Sequence, residues 1–149
     1  MLLRRDRALT AIAIVLDVAF HAGRSGELVV GAEIAERLGA ARRGVEPVFQ
    51  ALSRAGLLES VRGPRGGYRL GRRPRELRLS EIAACVQEDA EPPQDLTGRL
   101  QTAVLHPLWR DLDAEMRTRL AAITIEDLLR RAQAAGLKRA VTEPLNFAI

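Results

Sequence analysis

Residues 57–70 read Leu57-Leu58-Glu59-Ser60-Val61-Arg62-Gly63-Pro64-Arg65-Gly66-Gly67-Tyr68-Arg69-Leu70, and their reading decides the fold. Leu57 to Val61 has the composition of a strand. Arg62 to Gly67 is a dense turn cluster. Tyr68-Arg69-Leu70 alternates as a return strand. Together they predict a β-hairpin with a basic, glycine-rich tip. Glycines let a backbone approach a groove closely, and arginines suit a narrow minor groove of high negative potential. From Ser60 to Arg75 the chain carries six arginines (Arg62, Arg65, Arg69, Arg72, Arg73, Arg75) and no acid.

Upstream, Gly31 to Leu38 reads as a short helix with Ile34, Ala35 and Leu38 inward and Gly39 as its C′ residue. A longer helix follows from about Arg43 to Ala55, with a core stripe of Val45, Val48, Phe49, Leu52 and Ala55. Pro47 fits a first turn, where its missing N–H costs nothing, and Gly56 closes the helix. Short helix, glycine turn, longer helix is the helix-turn-helix pattern. A hairpin attached directly to it describes a winged helix. Before it, Arg7 to Ala22 reads as a helix striped by Leu9, Ile12, Leu16 and Ala19. Ile14, Val15 and Val18 widen the stripe, so this helix is expected to meet more than one neighbour. Gly23, Ser25 and Gly26 are expected to end it. Glu27 to Val30 suits a short strand.

Downstream, Leu77 to Leu79 is extended. Ser80 is placed to cap a helix from Glu81 to about Gln87. Glu88 to Gly98, with Pro92 and Pro93, reads as an acidic, mobile loop. Helix resumes near Leu108. The stripe Leu108, Leu112, Met116, Leu120 and Ile123 calls for a partner, either the N-terminal helix or a second copy. Thr124 and Asp127 form a capping-box pattern for a last helix ending at Gly136. Leu137 to Ile149 reads as an irregular tail. The expected architecture is mainly α with a small β-hairpin wing. It divides into a winged helix-turn-helix DNA-binding domain over 1–79, a helical dimerisation region over 80–136 and a tail over 137–149.

Composition bounds the function. The 149 residues hold 47% hydrophobic side chains, enough for a core. One cysteine, Cys85, excludes a disulfide scaffold, and only His21 and His106 accompany it, so a zinc ribbon or finger is excluded too. No apolar run is long enough to span a bilayer, and no cleavage site follows the first one. A soluble cytoplasmic protein with no membrane partner is expected. No phosphate loop, HExxH or Ser/His/Asp set points to an enzyme. Net charge is +7 over residues 1–79 and −3 over 80–149, a field that draws a polyanion to the N-terminal half or, alternatively, a solvated arginine-rich surface.

The wing stretch Ser60 to Leu70 resembles that of the bacterial IscR-type regulators, often called the Rrf-two family. Leu16-Asp17-Val18-Ala19 looks like their first helix, and Glu33-Ile34-Ala35-Glu36-Arg37 like their second. Val45-Glu46-Pro47-Val48 through Arg54-Ala55-Gly56-Leu57 is similar to their recognition helix. His106-Pro107-Leu108-Trp109 and Ile123 to Leu128 resemble their dimerisation helix and its end. The match runs in order over roughly residues 1–130. It implies a homodimeric winged-helix transcription factor, usually a repressor, binding palindromic double-stranded DNA with one helix in the major groove and the wing in the minor groove. Many relatives bind an iron–sulfur cluster through three cysteines before the dimerisation helix. Here no cysteine lies between Glu88 and Leu108, so no cofactor is expected.

On this reading the DNA-binding residues are Arg42, Arg43, Glu46, Gln50, Arg54, Arg62, Gly63, Arg65 and Gly66. Arg42 and Arg43 either contact phosphates and bases or are solvated turn arginines. Glu46 either accepts from cytosine N4 or complements the helix dipole. Gln50 suits a base and Arg54 a phosphate. Tyr68 is expected to pack, with its hydroxyl at the surface. Leu108, Trp109, Leu112, Met116, Leu120 and Ile123 are the expected dimer interface. His106 and Cys85 are the weak candidates for a metal; a helix-start histidine and a small buried hydrophobe are the plainer readings. Two other roles stay open: a winged-helix protein-interaction module, and a sensor with a ligand site that uses no cysteine triad.

Overall fold

The computed structural model describes residues 5–22, 26–87 and 96–138. Most of the loop expected at 88–98, all but the start of the tail and the expected helix stop at 23–25 lie outside them. Helix α1 (Arg5–Ala22) is the hub. Ala11, Ile14, Val15 and Val18 are fully buried, and α1 packs against α2 (Gly31–Leu38), α3 (Arg42–Arg54), α4 (Leu79–Cys85), α6 (Ile125–Ala134) and the second hairpin strand. An all-round apolar helix is buried on several sides for this reason. Asp17, within this helix, is nearly buried and is clamped by the Arg37 guanidinium of α2. Nε donates to Oδ1 at 3.0 Å and Nη2 to Oδ2 at 2.8 Å.

Helices α2 and α3 form the helix-turn-helix, joined through Gly39 in the left-handed conformation (φ 64°). Helix α3 begins at Arg42, one residue earlier than expected, and Pro47 is its sixth residue rather than part of its first turn. Strands β1 (Leu58–Val61) and β2 (Gly67–Leu70) pair antiparallel, Leu58 opposite Leu70 and Val61 opposite Gly67. The strand expected at 27–30 is a single bridge. Val29 and Tyr68 exchange N–H to carbonyl bonds of 2.8 Å in both directions, which anchors the return strand to the turn before α2.

A 3₁₀ turn, Pro74–Glu76, leads to α4. Ser80 does not cap α4, which starts one residue before it. The start is pinned by a tertiary contact instead: the Leu79 N–H donates to the Ile123 carbonyl at 3.0 Å, and the Ile125 N–H to the Leu77 carbonyl at 2.9 Å. The next helix also begins earlier than expected. Residues 99–122 are continuously helical, with a π turn at Gln101–Leu105 running into α5 (His106–Ala122). Pro107 therefore lies within the helical run. Just before it, the His106 N–H reaches back five residues to the Gln101 carbonyl, a widened turn of the kind that accommodates a break in the regular ladder. Helix α5 lies against α4, while α6 takes the place on α1. The capping box of α6 is as expected, with Asp127 N–H donating to Thr124 Oγ1 at 3.2 Å and Thr124 N–H to Asp127 Oδ2 at 2.9 Å. One hydrophobic core joins α1–α4, the hairpin and Ile125.

Candidate nucleic-acid interface

Helix α3 buries Val45, Val48, Phe49, Ala51 and Leu52. That choice of face leaves Arg42, Arg43, Glu46, Gln50 and Arg54 exposed. Four-residue spacing sets Arg42, Glu46, Gln50 and Arg54 in a row along the helix, with Arg43 beside it. The hairpin projects next to this row. Its tip, Arg62 to Arg65, is exposed. The Gly66 N–H closes the turn on the Gly63 carbonyl at 2.9 Å. Gly63 has φ 116°, a conformation that side chains rarely tolerate. At Gly66 a Cβ would collide with the Val61 and Gly63 carbonyl oxygens. Both glycines are thus required by the turn itself, whatever else they touch.

Wing and helix meet through Tyr68. Its ring stacks on Phe49 of α3, centroids 4.5 Å apart and planes within 13°. Beside this stack lies a cleft of about 310 Å³. Arg42 and Glu46 line it from α3, and Arg62, Gly63 and Gly66 line it from the wing. Arg43, Gln50, Arg54 and Arg65 stand outside it on the flanking surface. Tyr68 and Ser60 are also lining residues, and the sequence reading assigned neither to the site. The signal for Tyr68 was its place opposite Ser60 in the hairpin register. Tyr68 ionises above the ordinary tyrosine range. Burial is the largest cause and the Glu46 carboxylate adds to it; Arg42 and a hydrogen bond from Ser60 oppose it.

The arginine cluster divides in two. Arg69 donates to Glu59 across the strand pair at 2.6 Å, which holds the Glu59 carboxyl below its ordinary value. Arg72 bonds Glu81 at 3.0 Å. Both acids lie outside the stretch 60–75, so the local charge count overstated the free charge. Among the described residues, Arg42, Arg43, Arg62 and Arg65 have no acidic partner. Arg54 is engaged within the chain.

On α5, Leu108 and Trp109 are each 47% exposed, and Leu112 is exposed beside them. Leu100, Val104 and Leu105 extend this apolar surface upstream, beyond where the helix was expected to begin. Met116, Leu120 and Ile123 are half-buried, and Leu120 and Ile123 pack on the core of their own chain.

A family model, Rrf2, described as an iron-dependent transcriptional regulator, matches residues 5–131. The chain is 36% identical over 125 residues to the HTH-type transcriptional regulator IscR of Vibrio atlanticus, covering 80% of this chain and 70% of that one. IscR of Aliivibrio salmonicida is 36% identical over 124 residues, covering 80% of this chain and 72% of that one. Among solved structures, T. potens IscR superimposes with a TM-score of 0.69 at 26% identity, covering 89% of this chain and 90% of that one. CymR, the global cysteine regulator of B. subtilis, shares the fold with a TM-score of 0.68 at 24% identity, covering 88% and 98%. The named relatives are regulators rather than enzymes.

An iron–sulfur cluster is held by thiolates. Cys85, the one cysteine of the chain, is half-buried on α4 and donates its thiol to the Ile82 carbonyl at 3.1 Å. His106 is exposed at the start of α5. Among the described residues no three His, Cys, Asp or Glu side chains converge on a metal position. This donor set does not fit a cluster.

Proposed function

The chain belongs to the Rrf2 family of transcriptional regulators, and from that premise we propose that it is a homodimeric repressor of a palindromic operator that works without an iron–sulfur cluster. Each protomer lays α3 in a major groove, where the exposed row Arg42, Glu46, Gln50 and Arg54 meets base edges and phosphates. The wing enters the adjacent minor groove with Arg62 and Arg65. The exposed apolar surface of α5 seats a second copy, and the two-fold sets the spacing of the half-sites. No helix among the described residues is long and apolar enough to cross a membrane, and a repressor acts in the compartment that holds the chromosome, the cytoplasm of a bacterium.

The observation that carries this reading is the set of arginines without acidic partners at the wing tip and the start of α3, disposed about one cleft. Guanidinium groups left unneutralised around a concave surface form a site for a polyanion. Binding to a duplex should weaken linearly on a log–log plot against salt, with slope about −0.9 per neutralised phosphate. Arg62→Ala with Arg65→Ala should weaken binding to every duplex and make that slope shallower. Glu46→Ala should instead relax sequence preference. A salt-independent affinity would favour the protein-interaction module.

A further inference from the structure

We propose that Tyr68 is a positioning residue for sequence selection, its hydroxyl coupling the wing to the Glu46 end of the recognition helix. The inference rests on the DNA-binding reading above and adds a residue to it. Two contacts bound the Tyr68 ring, the stack on Phe49 and Gly31, where a Cβ would stand only 3.1 Å from the ring edge, and the double backbone bond to Val29 fixes the strand that carries it. With the ring so placed, Tyr68 lines one cleft together with Ser60 of β1 and with Arg42 and Glu46 of α3.

Those three groups are the ones that act on the hydroxyl electrostatically. A neutral phenol can accept from Ser60 and donate toward a carboxylate. Glu46 carries its charge on a short flexible stem at an exposed position, so a fixed donor nearby limits the rotamers from which it can meet a base. Such limits matter because base readout depends on where a side chain's acceptor stands. The wing and the helix are then one reading unit. Displacing the hairpin moves the hydroxyl, and the hydroxyl moves Glu46.

The experiment begins with the duplex that the wild-type protein selects from a random pool, set against a scrambled duplex of the same composition. The affinity ratio between the two is measured for wild type, Tyr68→Phe, Glu46→Gln and the double variant. Tyr68→Phe keeps the stack on Phe49 and loses only the hydroxyl. It is expected to cut the ratio about three- to tenfold, and to cut it no further in the Glu46→Gln background, as coupled neighbours do. An unchanged ratio in Tyr68→Phe, or the same loss in both backgrounds, overturns the proposal. Tyr68 is the chain's one tyrosine, so tyrosinate absorbance supplies a second reading that needs neither DNA nor a Tyr68 variant. Its alkaline midpoint should fall in Glu46→Gln and rise in Arg42→Gln; a midpoint indifferent to Glu46 also overturns the coupling. A wild-type protein that selects no sequence defeats the DNA-binding reading alone, and the titration then decides the coupling.

Discussion

Asp17 shows how one side chain can hold a binding surface in place. It lies in the most apolar helix of the chain, with its side chain 10% exposed. Burying a carboxylate is tolerable when charged hydrogen bonds replace water, and the two-pronged contact from Arg37 does so. His21, one turn along α1, stands 3.5 Å from the same carboxylate. Because Arg37 sits on α2, the pair fixes the first helix of the helix-turn-helix on the hub. Asp17→Ala should therefore lower stability by about 1–2 kcal/mol. The cost stays modest because Arg37, released, still reaches water. Urea denaturation would measure it, and an unchanged midpoint would show that packing alone holds α2. The pair was not legible in the sequence, since the two residues stand 20 positions apart. The same limit hid the partners of Arg69 and Arg72. A count of charges along the chain has no access to acids brought in by strand pairing or by α4.

Elements with local causes were legible, and those with tertiary causes were not. Helix α3 and the hairpin follow from a 3.6-residue apolar stripe and a run of turn residues, so the sequence places both within a residue or so. The start of α4 has no local signal that outweighs the bridge from Leu79 to Ile123. Pro47 was read as a first-turn residue and helix was expected to resume only near Leu108, yet Pro47 and Pro107 each have a full turn of helix before them. Proline in a helix lacks an N–H and also presses its ring on the carbonyl four residues back, and before Pro107 a widened turn absorbs the defect so that the upstream chain stays helical. Residues 99–105 thereby join α5 and lengthen its exposed apolar row to Leu100, Val104, Leu108 and Leu112, at i, i+4 spacing. Such a row on a protein of this size calls for a partner. Leu108→Glu with Leu112→Glu should convert a dimer to a monomer in sedimentation equilibrium, with helix content unchanged. Operator affinity should fall by at least about 10²-fold as the two half-sites lose their tether. A variant that remains dimeric would move the interface elsewhere on the subunit.

Across the whole molecule, the positive charge excess and the exposed apolar row lie on different parts of the chain. Residues 1–79 carry the positive excess and 80–149 the negative one, and α1 joins the two through packing on α3 and the hairpin on one side and on α4 and α6 on the other. The resemblance to cluster-binding regulators points to the segment before α5 as the place where their cysteines lie. Here that segment, residues 88–105, contains no cysteine. Cys85 stands on α4 with its thiol turned to a carbonyl of its own helix. A single thiolate cannot replace the four ligands a cluster takes, and a thiol used as a hydrogen-bond donor is not poised as a ligand, which must be deprotonated. The linkage between iron and operator binding should consequently be missing. Protein purified without oxygen should show no visible absorption band beyond that of the polypeptide. Its operator affinity should match that of the same protein exposed to air or treated with an iron chelator, and Cys85→Ser should bind equally well. A coloured protein whose affinity shifts when the chelator removes the colour would restore a metal to the mechanism and require ligands from Asp, Glu or His106.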